Sequence, residues 1–131
     1  MKSLVKLPPT QGIAAMQSIN VVVINRWFMS VFFGTAIICL VLAILSVFRW
    51  QTPGAGYRLI GSLLYLLGTI LVTIVCNVPL NDSLAAVDPT SANAAQAWAH
   101  YVTTWTAWNH LRTIAALAAA AAFTAACCRA A

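Results

Sequence analysis

Three long apolar runs separated by short polar breaks lay out this chain. The first covers residues 27–48, about 22 residues without a charge, and is bounded by Arg26-Trp27 and Arg49-Trp50. At about 1.5 Å of rise per residue it crosses a hydrocarbon core of roughly 30 Å, and tryptophan beside arginine is the anchor expected where a helix leaves lipid. Residues 51–56 form a turn, because Pro53, Gly54 and Gly56 break helix, so the next run is an antiparallel neighbour of the first. That second span covers 57–76, with Gly61 and Gly68 on one face where they permit close helix contact. Pro79 is expected to stop it, leaving Asn77, Asn81 and Asp82 at the membrane boundary. After a loop over 82–93, a third helix starts near Ser91, runs along the interface over 91–107 and spans over 108–127.

Two stretches are amphipathic. Residues 10–25, with Thr10 as N-cap, place Ile13, Met16, Ile19 and Val23 on one side and Gln17, Asn20 and Asn25 nearer the other. This stretch is too polar to span and belongs at the interface or against the bundle. On the third helix, Trp98, Tyr101, Trp105, Trp108 and Arg112 follow the spacing of one continuous face, with Asn109 beside it and His110 on a neighbouring face with Thr103 and Thr106. The predicted fold class is therefore an all-α integral membrane protein, a single domain of three transmembrane helices with interfacial helical segments.

Composition agrees with that class and excludes others. Of 131 residues, 62% are hydrophobic and 7% charged, and mean hydropathy is +0.87, outside the range of soluble globular domains. The net charge of +5 sits between the apolar runs, on Lys2, Lys6, Arg26, Arg49, Arg58, Arg112 and Arg129. That is the arrangement of helix ends at anionic headgroups, and no basic cluster interleaved with aromatics marks a nucleic-acid surface. The positive-inside rule leans towards a cytoplasmic 49–57 turn. Residues 1–9 are a basic, proline-ended leader that lacks the apolar core of a signal peptide. Cys39, Cys76, Cys127 and Cys128 form neither a zinc spacing nor a disulfide framework.

Candidate chemistry gathers on the third helix. His100 and His110, ten residues apart, lie about 15 Å apart along the axis and cannot share one ion, so no metal site is expected. His110 is either a proton-transfer group or a neutral imidazole hydrogen-bonded for packing. Arg112 either holds an anion or snorkels to headgroups. The aromatic stripe is either an interfacial belt or a slot for a flat ligand, and Asn77, Asn81, Asp82 and Asn25 either contact a ligand or satisfy helix ends.

The segments beginning Leu7-Pro8-Pro9-Thr10-Gln11-Gly12 and Asn25-Arg26-Trp27-Phe28, then Asn77-Val78-Pro79-Leu80-Asn81 and Trp105-Thr106-Ala107-Trp108-Asn109-His110-Leu111-Arg112, resemble the anthrone oxygenase-like family of small integral membrane proteins. The resemblance implies a membrane bundle, and for its named members oxidation of anthrones by dioxygen without a metal or flavin cofactor. It also implies a further span before the segment that begins at 2–7, giving four where this sequence shows three, and a multi-pass protein of the bacterial inner membrane. The candidate site that follows has His110, Arg112 and Asn109 as catalytic residues, with Trp105, Trp108, Asn77, Asn81 and Asn25 against a small aromatic substrate. The other reading, from a different class, is a non-enzymatic membrane protein that forms a homo-oligomer or supports a partner within the lipid bilayer.

Overall fold

The structure, a computed structural model, describes residues 1 and 3–130; Lys2 of the basic leader lies outside the described residues. Helix α1, Pro9–Val23, begins a residue earlier than its polar pattern indicates, with Pro8 in the capping position and Pro9 as its first helical residue. Thr10 therefore does not cap it: a proline ring already holds the φ of a helix start and has no N–H to leave unpaired. Helix α2, Arg26–Phe48, follows at once. Its cap is Asn25, whose Oδ1 accepts from the Trp27 and Phe28 backbone N–H groups at 3.1 and 3.0 Å.

Gly54, at φ 77°, turns the chain into helix α3, Ala55–Ala85. Pro79 does not stop this helix, contrary to the sequence expectation. Residues Leu64–Leu71 and Thr73–Asn77 are π-helical, and Pro79 falls in the first turn of the α-helical segment Val78–Ala85. The widened turn before it relieves the clash of the proline ring with the preceding carbonyls. A loop with an Asp88 turn leads to helix α4, Ala94–Ala130, which runs unbroken from the interfacial segment into the span. It starts after Ser91, because the Ser91 hydroxyl and N–H both bond back to the Asp88 carbonyl.

Among the described residues the fold is all helix, and α2, α3 and α4 are each long and apolar enough to cross a membrane. This is a multi-pass membrane architecture. Only 17–22% of their most apolar windows is buried, so Val31, Ile37, Ile114 and Leu117 are left for lipid to cover.

Helices α2 and α4 pack on α3 from either side. The predicted close contact on the glycine face is present: Gly61 lies against the Phe123 ring and Gly68 against Ala115, where an added Cβ would collide with the alanine methyl. At the opposite end α1 lies across α4 and the end of α3. Gly12 admits the Trp98 indole, and Ile13, Met16, Leu84, Trp98 and Tyr101 close into a core. Gln17 ties the two elements by donating to the Leu84 and Val87 carbonyls at 2.9 and 3.0 Å. Trp98 and Tyr101 are 5% and 3% exposed, so this part of the aromatic stripe is packed interior and not a belt at the headgroups.

Candidate functional site

Beneath α1, in the angle between α2 and α4, lies a cavity of about 370 Å³. Its walls are apolar: Met16, Ile19 and Val23 of α1, Phe28, Phe32 and Phe33 of α2, and Trp105 of α4. Phe28 stacks on Phe32 with centroids 5.6 Å apart, and Phe33 meets Phe32 edge to face at 5.4 Å. Trp105 ends the ladder Trp98–Tyr101–Trp105, whose successive centroids are 5.9 and 6.1 Å apart. Aromatic rings thus bound the cavity from two helices that do not belong to one stripe.

The polar groups converge from α3 and α4. Thr73, Asn77 and Asn81 follow one another at four-residue spacing on α3, facing Asn109 and Arg112. Asn77 is 1% exposed. Its Nδ2 donates to the Trp105 carbonyl at 3.4 Å, and Oδ1 is left without a partner among the described residues. Asn81 Oδ1 is engaged by the Tyr101 hydroxyl at 2.9 Å, which joins the site to the core beneath α1. Trp105 Nε1 and Arg112 Nε are also buried without a partner among the described residues. Arg112 and Asn109 continue into an adjoining groove of about 310 Å³ with Thr69, Thr113 and Leu117.

Five of the eight residues singled out from sequence therefore line one cavity: Asn77, Asn81, Trp105, Asn109 and Arg112. The structure does not bring the other three to it. Asn25 is consumed in capping α2. Trp108 is 37% exposed and His110 is exposed, both outside the lining. His100 is exposed as well and borders a small apolar pocket near Leu84. Sequence reasoning missed Asn20, Phe28, Phe32 and Thr73. Asn20 is read from sequence as nearer the polar side of its helix, yet it follows Met16 by four residues and precedes Val23 by three, and that spacing was a signal for it.

Apolar walls with a few convergent polar atoms are the build of a small-molecule site. The polar side chains in this lining include the Arg112 guanidinium and the Asn77, Asn81 and Asn109 amides. They suit a ligand with one oxygen that accepts, favourably as an anion beside the guanidinium, and one O–H or N–H that donates to an amide oxygen. An arginine at this depth with no acidic neighbour in the lining is costly unless a ligand supplies the counter-charge.

The fold and the cavity define a multi-pass, all-α membrane protein with a polar-floored aromatic pocket at one end of its bundle. The sequence model of the family described as anthrone oxygenase matches residues 26–122, well over half of the chain, and the protein belongs to that family. Comparison with curated proteins and with solved structures gives no match. Helix α1, which supplies one wall of the cavity, precedes the matched region.

Proposed function

We propose that the cavity is the active site of an oxygenase without a resident cofactor, acting on a flat phenolic substrate of the anthrone type. The observation that carries this reading is the convergence of Asn77, Asn81, Asn109 and Arg112 on one cavity walled by aromatic rings. Family membership supports it. The substrate's rings lie between Phe28 and Trp105, its ionised oxygen accepts from the Arg112 guanidinium, and a substrate hydroxyl donates to an amide of the polar floor. Asn109 borders the same oxygen, while Asn81 positions Tyr101.

An ionised anthrone is electron-rich at the carbon opposite its oxygen. One electron passes to dioxygen, the substrate radical and superoxide combine at that carbon, and the protonated peroxide loses water to leave a quinone carbonyl. The cavity lining contains no histidine and no carboxylate. Its residues therefore favour the ionised form by holding the anion and need not remove the proton themselves. Fixed donors of this kind contribute on the order of 10²–10³ in rate.

The test is oxygen consumption by membranes carrying the wild-type chain, with a panel of anthrones and hydroquinones. Matched membranes carry Arg112→Met or His110→Gln, because such substrates also oxidise spontaneously. Arg112→Met should lower turnover by about 10²-fold while the protein remains folded, and His110→Gln should keep most of it. Full turnover in folded Arg112→Met refutes the reading. Loss in His110→Gln alone moves the essential proton transfer to the outer face of α4.

A further inference from the structure

The opposite end of the bundle carries three arginines, Arg49, Arg58 and Arg129, whereas both acidic residues of the sequence, Asp82 and Asp88, lie at the α1 end. Two of the three share a groove of about 370 Å³ with Leu42, Leu45, Thr52 and Pro53. Arg58 is held in place there. Its Nη1 donates to the Pro53 carbonyl at 3.1 Å and its Nη2 to Thr52 Oγ1 at 2.6 Å, while the Thr52 hydroxyl donates to the Arg49 carbonyl at 2.8 Å. Two of its five N–H donors are used on neutral acceptors, and the remainder stay available in a fixed fork. The first turn of α3 contains no acidic residue and bears this arginine instead, the reverse of what a helix start favours. An anion seated beside Arg58 offsets that.

The rest of the groove says what kind of anion fits. Below the arginines its wall is Leu42 and Leu45 on the membrane-spanning part of α2, and Leu45 is 46% exposed on the face that lipid covers. Charge at the mouth and an apolar wall running into the bilayer match a headgroup joined to an acyl chain. Beyond the turn, Trp50 and Tyr57 border a neighbouring pocket, with the Arg129 guanidinium 5.7 Å from the centre of the Tyr57 ring. This is the usual company of a headgroup layer.

We propose that Arg49 and Arg58 bind the phosphate of an anionic phospholipid, with one acyl chain lying along Leu42 and Leu45. The site is independent of the cavity under α1.

The experiment uses purified protein in detergent micelles, offered phosphatidylglycerol or phosphatidylcholine with identical chains, with bound lipid counted by native mass spectrometry. At about fivefold for each arginine, the wild type should retain the anionic lipid roughly 25-fold better, and the preference should shrink as salt rises. Arg49→Gln/Arg58→Gln should abolish it. Arg26→Gln, at the other end of α2, should leave it unchanged, which separates a site from general surface charge. Glycerol phosphate, the headgroup without chains, should not displace the lipid. Equal retention of the two lipids by wild type, or an undiminished preference in the folded double variant, overturns the proposal. So does complete displacement by glycerol phosphate, which would mark a plain anion site. Should the double variant fail to fold, the salt dependence of the wild-type preference decides, and a preference unmoved by salt refutes it.

Discussion

Replacing Asn77 by leucine separates a residue kept for a ligand from one kept for the fold. Asn77 is 1% exposed, with one hydrogen bond longer than the usual range, 3.4 Å to the Trp105 carbonyl, and an Oδ1 that no described residue satisfies. A buried polar atom without a partner costs about 1–3 kcal/mol, and a hydrogen bond contributes about 1 kcal/mol net, less when it is long. Leucine branches at the same carbon and is close to asparagine in size. It removes the desolvation penalty at Oδ1 and gives up only the weaker Nδ2 hydrogen bond. The empty protein should therefore become more stable, by about 1 kcal/mol, while ligand-dependent oxygen consumption falls to background. The assay is equilibrium unfolding in mixed detergent micelles, followed by tryptophan fluorescence and paired with the oxygen electrode. A leucine variant less stable than wild type by about 1 kcal/mol or more would refute the reasoning, because Asn77 would then be a structural member of the α3–α4 interface. Stability gained at the expense of activity is the signature of a polar group held for function.

Other consequences are local. Gly68→Ala should cost about 1–3 kcal/mol by driving its methyl into Ala115, and adding Ala115→Gly should restore most of it, as read from folded yield and thermal unfolding of the single and double variants. Asn25→Ala should cost about 1 kcal/mol through loss of the α2 cap with turnover per folded molecule unchanged, which checks its placement outside the site. The Thr90 backbone N–H and hydroxyl both donate to Asp88 and hold its carboxyl below the usual carboxylate range. Because the folded value is depressed, the turn's contribution is complete above the ordinary carboxylate range and is lost as pH falls through the folded value. Faster proteolysis or amide exchange over 86–93 should therefore begin only at acid pH.

Hydrophobic periodicity carried the spans, since a charge-free run of about 22 residues has few alternatives in a chain this apolar. The polar half of the site was legible for the same reason: amides and an arginine inside apolar runs are conspicuous. The aromatic stripe was legible as a face but not as a burial pattern. Spacing places Trp98, Tyr101, Trp105 and Trp108 together, yet only packing by α1, through Gly12 and Ile13, decides that the first two are interior while Trp108 faces outward. His110 drew notice for its chemistry, and one residue's rotation from Asn109 is enough to keep it out of the cavity. The basic groove at the turn was hidden because Arg49 and Arg58 are nine positions apart and meet only through the hairpin.

The least legible element was the π-helical stretch, and the site depends on it. Gly68 faces α4 at Ala115, and Asn77 faces α4 at Trp105. Nine residues of α-helix, at about 100° each, end half a turn from where they began, so an α-helical α3 would point Asn77 away from α4. A π-helix bonds one residue further along and turns by only about 80° per residue. Nine such residues bring the side chain back to nearly its starting face. With Leu64–Leu71 and Thr73–Asn77 both π-helical, the glycine face that packs α3 against α4 and the polar face that floors the cavity are the same side of one helix. The α-helical segment that follows, through Pro79, carries Asn81 on that side towards Tyr101. A helix of ordinary pitch could supply the close packing or the polar floor against α4, but not both within these nine residues.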